Sequence, residues 1–163
     1  MDVLLQDNCI LCHTDPEVQK PGTLFSLSPV SDASPAHLKL HDLVDDVHFR
    51  RGLSCAGCHG GDPASDKIEH VFVKEWARTG RDKDRGWIAD FCARCHSDPT
   101  FMNRFNPALP TDQLAKFKDS PHGKLLLETK DPRAPDCASC HGIHGIRSAK
   151  SPLSKVNRKR FPE

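Results

Sequence analysis

Apolar and polar positions are patterned along this chain only in short stretches, each long enough for a helix of a few turns and no more. The clearest lies between residues 34 and 49. Ser34-Pro35 reads there as an N-cap followed by proline at the first helical position. His37, His41, Val44 and His48 then fall at i, i+4, i+7 and i+11, which puts three imidazoles on one face of a helix running to about Phe49. Residues 68–73, around His70, form a strand-like run that is too short to argue for a sheet. Residues 82–85 with Gly86 read as a charged turn, after which Trp87, Ile88 and Phe91 supply an apolar approach to the next segment. Thr111 can cap a helix over about 112–118, and a second helix follows the turn Ser120-Pro121-His122-Gly123, with Leu125, Leu126 and Leu127 as its apolar cover.

These elements predict a mainly α protein with much irregular coil and little or no β structure. Thirteen prolines and ten glycines in 163 residues agree, since both residues punctuate short elements. Composition then raises a difficulty. Aromatic residues make up only 6% of the chain and tyrosine is absent, so the polypeptide is poor in the side chains that build a core.

The cysteines resolve it. All eight lie in one pattern that occurs four times: Cys9-Ile10-Leu11-Cys12-His13, Cys55-Ala56-Gly57-Cys58-His59, Cys92-Ala93-Arg94-Cys95-His96 and Cys137-Ala138-Ser139-Cys140-His141. C-x-x-C-H is the attachment pattern of c-type haem: the two thiols form thioethers to the porphyrin, and the next residue brings an imidazole to the iron. A disulfide framework gives no reason for a histidine after every second cysteine, and that coincidence has a chance of roughly one in 10⁵. In a structural zinc site built from cysteine pairs, each of these histidines would be a surplus ligand. Four covalently attached haems c are therefore expected, at about 41 residues per haem. The macrocycles would be most of the core, and the chain without them is expected to be largely unfolded.

His13, His59, His96 and His141 are the expected proximal ligands, leaving His37, His41, His48, His70, His122 and His144 for four distal positions. His122 opens a predicted helix, where a side chain can project into a haem pocket. His144 lies three residues after His141, too close to close the same iron from the opposite side but suited to a neighbouring haem. With six histidines for four positions every iron can be bis-histidine, low-spin and closed to substrate, which favours electron transfer over catalysis. Met102, with histidines in surplus, reads as haem packing. Haems about 10 Å apart at an effective dielectric near ~20 would influence one another by about 1.7 kcal/mol, or roughly 70 mV, so a stack should titrate over a broad range.

The pattern also repeats at a longer period. The first and third motifs are followed by Thr14-Asp15-Pro16 and Ser97-Asp98-Pro99, the second and fourth by Gly60 and Gly142. Cys12 to Cys55 is 43 residues and Cys95 to Cys137 is 42. We expect one tetrahaem domain over 1–163, readable as two two-haem repeats of about 1–70 and 71–163, forming one continuous body.

A formal charge of +1 gives no reason to expect a nucleic-acid partner. Arg147, Lys150, Lys155, Arg158, Lys159 and Arg160 form a basic tail that is either solvated or docked on an acidic, propionate-rich surface. No apolar run reaches the ~20 residues of a transmembrane segment, and the eight residues before Cys9 have no signal-peptide character. Covalent haem attachment takes place outside the cytoplasm. A periplasmic or extracellular location is thus expected, with Met1 read as the start of a processed or excerpted chain.

The runs Phe91 to Pro99, Ser120-Pro121-His122-Gly123 and Cys137 to Ile146, with His48 to Cys55 and Cys58-His59-Gly60-Gly61-Asp62-Pro63, resemble bacterial and archaeal multihaem c-type cytochromes. The likeness covers residues 40–148 well and the N-terminal part weakly. That group includes tetrahaem carriers related to the electron acceptor of hydroxylamine oxidation and subunits of extracellular cytochrome filaments. The resemblance implies a small cytochrome fold wrapped around a stack of four haems, with His48, His122 and His144 as distal ligands; His70 corresponds less clearly. It implies an electron carrier in a respiratory or extracellular electron-transfer chain, whose partners are redox proteins or copies of itself, as a homo-oligomer or a filament. Longer relatives continue past the position of Ser151-Pro152 to further haem motifs, which leaves a complete tetrahaem unit and a piece of something larger both open. The alternative is a small multihaem reductase with one open haem site, which would bind carbon monoxide.

Overall fold

A five-residue helix closes so few backbone hydrogen bonds that it cannot stand alone in water; it needs a cap at its head and a partner along its side. This governs most of the chain. The computed structural model describes residues 7–15, 40–65 and 85–160, and among them the regular structure is helical, with no strand. The helices are α1 (Asn8–Thr14), α2 (Leu40–Val44), α3 (Cys55–His59), α4 (Gly86–His96), α5 (Pro99–Met102), α6 (Gln113–Asp119), α7 (Pro121–Leu127) and α8 (Cys137–His141), with 3-10 turns at Phe49–Arg51 and Arg158–Arg160. The mainly α expectation holds. No helix among the described residues is long and apolar enough to cross a membrane.

The chain divides into two units. One comprises Met1–Ala77 with His144–Ser148, the other Arg78–Ile143 with Ala149–Glu163. Each contains two C-x-x-C-H motifs.

In the first unit, α1 is tied to the loop after α3, with the Asn8 amide donating to Pro63 (2.9 Å) and the Asn8 side chain to Ala64 (3.1 Å). The helix predicted to reach Phe49 ends at Val44 instead. Asp46 causes the break: its amide turns back to Leu43 (3.0 Å), and its buried carboxylate accepts the amide of His48 (2.8 Å), a local bond that competes with helix continuation. Consequently His41 lies on α2 and His48 in the turn beyond it, not on one continuous helical face. Ser34, Pro35 and His37, the strand-like run with His70, and residues 82–84 of the charged turn lie outside the described residues.

In the second unit, α4 packs against α5, α6 and α8, and α6 packs against α7. The α6 helix starts at Gln113 after Asp112, one residue later than predicted from Thr111. Ser120 serves two helices at once: its hydroxyl donates to Phe117 at the end of α6 (2.7 Å) and accepts the Gly123 amide at the head of α7 (3.1 Å). Pro121 stands at the first position, where its missing N–H costs nothing, so Ser120-Pro121-His122-Gly123 begins the helix itself. The chain after α8 is folded on Asn157, whose side-chain amide donates to Ala149 and Ser151 (both 2.9 Å).

The α6–α7 corner sets a strict requirement on Gly123. A Cβ there would lie 1.8 Å from the Phe117 carbonyl oxygen, and backbone cannot move aside as a side chain can. Gly123→Ala is expected to destabilise the protein by about 2–3 kcal/mol, read as a lower denaturant midpoint in equilibrium unfolding. Gly52→Ala, at a left-handed position with open space around it, should cost less, about 1 kcal/mol, from backbone conformation alone.

Candidate functional site

All four C-x-x-C-H motifs are helical: within α1, as the whole of α3, at the C-terminal end of α4, and as the whole of α8. Helical geometry gives the motif its meaning, because positions i, i+3 and i+4 share one face, so two thiols and an imidazole are presented side by side. On α4 the same face is extended toward the N-terminus by Ile88, one turn before Cys92. Trp87 and Phe91 lie edge to face beside it (6.0 Å), with the Arg94 guanidinium 4.5 Å over the Phe91 ring.

The glycines after the second and fourth motifs close those helices in a way other residues could not. Gly60 (φ 74, ψ −157) and Gly142 (φ 89, ψ 178) both turn the chain away from the helix with positive φ, and each amide bonds back to the alanine of its own motif. After the third motif, Asp98 caps α5 through the Phe101 amide (3.1 Å) with Pro99 at the first position. The alternation in the sequence thus marks two different exits from the same helical motif.

Each unit joins its two motif helices through a buried aspartate at a helix head. In the first, Asp7 is 2% exposed; its carboxylate accepts the Cys9 amide (3.0 Å) as the cap of α1 and the Cys55 amide (3.3 Å) at the start of α3. Burial, followed by the charge of Asp7 and the proximity of Cys9, pushes the Cys55 thiol up to about 12. In the second, Asp136 caps α8 by accepting the Ser139 amide (2.7 Å), and the Ser139 hydroxyl completes a capping box. The Arg85 guanidinium, at the head of α4, binds Asp136 through two nitrogens (2.6 and 3.0 Å) and reaches Ser139 (2.8 Å) and Pro132 (3.2 Å). Hydrogen bonding between the Cys92 and Cys137 side chains outweighs burial and lowers the Cys137 pKa. In both units the leading cysteines of the two motifs are therefore within electrostatic or hydrogen-bonding reach.

Three predicted ligands gather in the first unit. The rings of His59 and His144 lie 6.0 Å apart between centroids, inclined by 26°. Burial lowers the pKa of His59, and the neighbouring His144 and His13 lower it further. His144 is lowered by burial and by His13, against an opposing pull from Asp46; His13 is lowered by burial against Asp7. All three are thus biased toward the neutral imidazole, the form that has a lone pair for a metal. His48 differs in being oriented by a carboxylate: its Nδ1 lies 3.2 Å from Asp46 Oδ1.

Haem fits these residues. The His59 and His144 rings are stacked at 6.0 Å in the unit that carries two C-x-x-C-H helices, and nitrogen donors biased toward the neutral form beside paired thiols are a donor set that suits haem c. Beside His96, Ser97 Oγ is buried with no hydrogen-bond partner among the described residues, as expected where a further group completes the surroundings. Met102, read as packing, is buried on α5.

Other predicted ligands are spread out. His41 projects from α2 with its side chain 70% exposed, near Asp42 (3.2 Å), and His122 and His141 are exposed on α7 and α8. Sequence reasoning missed the residues that organise the site: Asp7, Asp46, Arg85 and Asp136. Asp136 had a signal only in its type, since aspartate caps helices but no helix is predicted over the fourth motif. Asp46 had none.

Asp136 generates a pH prediction. Burial alone would raise its pKa, but hydrogen bonds from the Ser139 amide and hydroxyl and from Arg85 overcome this and hold it below the usual carboxylate range. A depressed folded pKa adds stability that is present in full above the ordinary value of about 3.9 and is lost as pH falls through the folded value. Asp136→Ala is expected to lose about 2–3 kcal/mol at neutral pH, from the cap and the bonds to Arg85, and its deficit against the parent should shrink below about pH 4. Thermal unfolding at pH 7 and pH 3 checks both.

Comparison of the chain with family models, with curated proteins and with solved structures finds no match in any of the three.

Proposed function

We propose that this chain is a tetrahaem c-type cytochrome that transfers electrons outside the cytoplasm, between redox proteins or between copies of itself. One observation carries the proposal: all four C-x-x-C-H motifs are helical, and His144, a histidine outside them, lies stacked beside His59 of the second motif in the first unit. Distal histidines close irons to substrate, and a closed site suits electron transfer better than catalysis.

Further support comes from what the polypeptide fails to bury. Among the described residues the buried apolar side chains are Ile10, Leu43, Ala89, Met102, Leu126 and Ala134, two of them only alanine. Leu11 inside the first motif and Ile143 beside the fourth are 59% and 64% exposed. Among the described residues, large apolar groups other than side chains would thus have surface to cover.

Haem c, when bound, supplies a reversible one-electron couple at iron. The chain's own residues do the rest. Cys9, Cys12, Cys55, Cys58, Cys92, Cys95, Cys137 and Cys140 tether it, and His13, His59, His96 and His141 ligate from the helix that carries each tether. His144, beside His59, would be one of the four distal ligands, and the other three would be drawn from His48, His122, His41, His37 and His70. Partial desolvation of His13, His59 and His144 biases these imidazoles toward the neutral form, which has a lone pair to offer iron.

A pyridine haemochrome assay on protein matured in a host that attaches haem c should give four haems per chain, retained in acid acetone, with low-spin spectra and no carbon monoxide binding. His144→Ala should open one haem to carbon monoxide and make one quarter of the iron high-spin. A carbon-monoxide-silent His144→Ala protein would reject His144 as an iron ligand, whereas haem extracted by acid acetone would reject the covalent cofactor.

A further inference from the structure

Asp46 is the most completely enclosed charged group in the described part of the first unit after Asp7, and it belongs to no attachment motif. Its residue is 3% exposed, yet among the described residues no lysine or arginine bonds to it: the adjacent Asp45 takes Arg147 (2.7 Å). Its carboxylate is instead satisfied by N–H donors from two parts of the chain. Oδ1 faces the amide (2.8 Å) and Nδ1 (3.2 Å) of His48, and Oδ2 accepts the amide of Ile146 (2.8 Å), a hundred residues further on. The Val47 amide returns the contact to the Ile146 carbonyl (2.8 Å), so residues 45–47 and 146–147 are held by three interactions of which Asp46 supplies the central one.

The group facing this carboxylate that can carry a positive charge is the His48 imidazole itself, and a serine or asparagine could cap a simple turn at lower cost. The placement of the two ends accounts for the charge. One end holds a predicted ligand directly, through the ring nitrogen that does not ligate. The other holds the backbone two residues past His144, whose ring meets His59.

We propose that Asp46 is a positioning residue for two iron ligands at once: its carboxylate orients the His48 imidazole through Nδ1 and anchors the segment that carries His144. The inference rests on the tetrahaem reading above and assigns a role to a residue outside the ligand set. A donated Nδ1–H puts the ring lone pair on Nε2 and fixes the rotation of the ring, and a negatively charged acceptor increases the electron density the imidazole can donate to a metal. More donation favours the oxidised metal. The haem closed by His48 should therefore have a lower potential with Asp46 than with a neutral residue there.

The experiment compares haem-loaded parent, Asp46→Asn and Asp45→Asn by spectroelectrochemical titration. The Asp46→Asn change keeps the size and one acceptor oxygen but removes the charge, and Asp45→Asn removes the Arg147 pair without touching His48. The expected result is four low-spin haems in all three proteins, an upward shift of one midpoint in Asp46→Asn, and a parent-like titration in Asp45→Asn. Superimposable titrations of parent and Asp46→Asn overturn the proposal. An equal shift in Asp45→Asn also overturns it, since that makes the effect one of the loop and not of the carboxylate. Where Asp46→Asn does not mature, the reduced, diamagnetic parent is measured by proton NMR. A slowly exchanging, far-downfield His48 Nδ1 proton supports the assignment, and a rapidly exchanging one refutes it. A parent without covalent haem would instead reject the tetrahaem reading, before any question about Asp46 arises.

Discussion

Short helices without a core of their own depend on what satisfies their first backbone N–H groups, and here buried carboxylates do it. Asp7 and Asp136 are each 2% exposed and each binds the head of a motif helix. Neither serves that helix alone. Asp7 also takes the Cys55 amide, and Asp136 is clamped by Arg85 from the head of α4, so the two motif helices of each unit are registered against each other at their first turns. The two devices differ in chemistry, a shared backbone acceptor in one case and an arginine–carboxylate pair in the other, but both bring the leading cysteines of the two motifs together. Burial of an ionised group is costly unless every lone pair is engaged, and these carboxylates are engaged from two helices at once.

Asp46 extends the same logic from attachment to ligation. It ends α2 early, which removes His48 from the helical face and turns it toward a carboxylate. It also draws the chain after the fourth motif into the first unit, where His144 meets His59. On the proposed function, a ligand that follows the fourth motif lies beside the histidine of the second, so the surroundings of the second motif draw on chain made after the fourth.

Imidazoles biased toward neutrality, exposed apolar side chains beside the motifs and few buried aliphatic residues among the described ones support the proposed picture, in which flat apolar cofactors would take the place of a side-chain core. The polypeptide's tightly determined features are then polar: caps, clamps and a glycine corner. The α6–α7 turn shows how sharply they are set, since Ser120 ends one helix and begins the next, while Gly123 admits the Phe117 carbonyl where any side chain would collide.

Local chemistry was legible in the residues themselves. Four C-x-x-C-H motifs, a helix near the Ser120-Pro121-His122-Gly123 stretch, and the alternation of glycine with Asp-Pro after the motifs all act within a few positions of one another, so their spacing alone carries the information. The mainly helical character followed from the same short-range signals, and it is present among the described residues. What only the tertiary structure decided is which distant groups meet. Nothing near His48 in the sequence announced that Asp46 would end the helix, because the competing bond draws its support from Ile146, a hundred residues away. Nothing near His144 assigned it to the unit of His59 and not to that of His141, its neighbour in the chain. A helical period reports which side chains share a face; it does not report which buried charge that face must satisfy, and the charge determined the arrangement here.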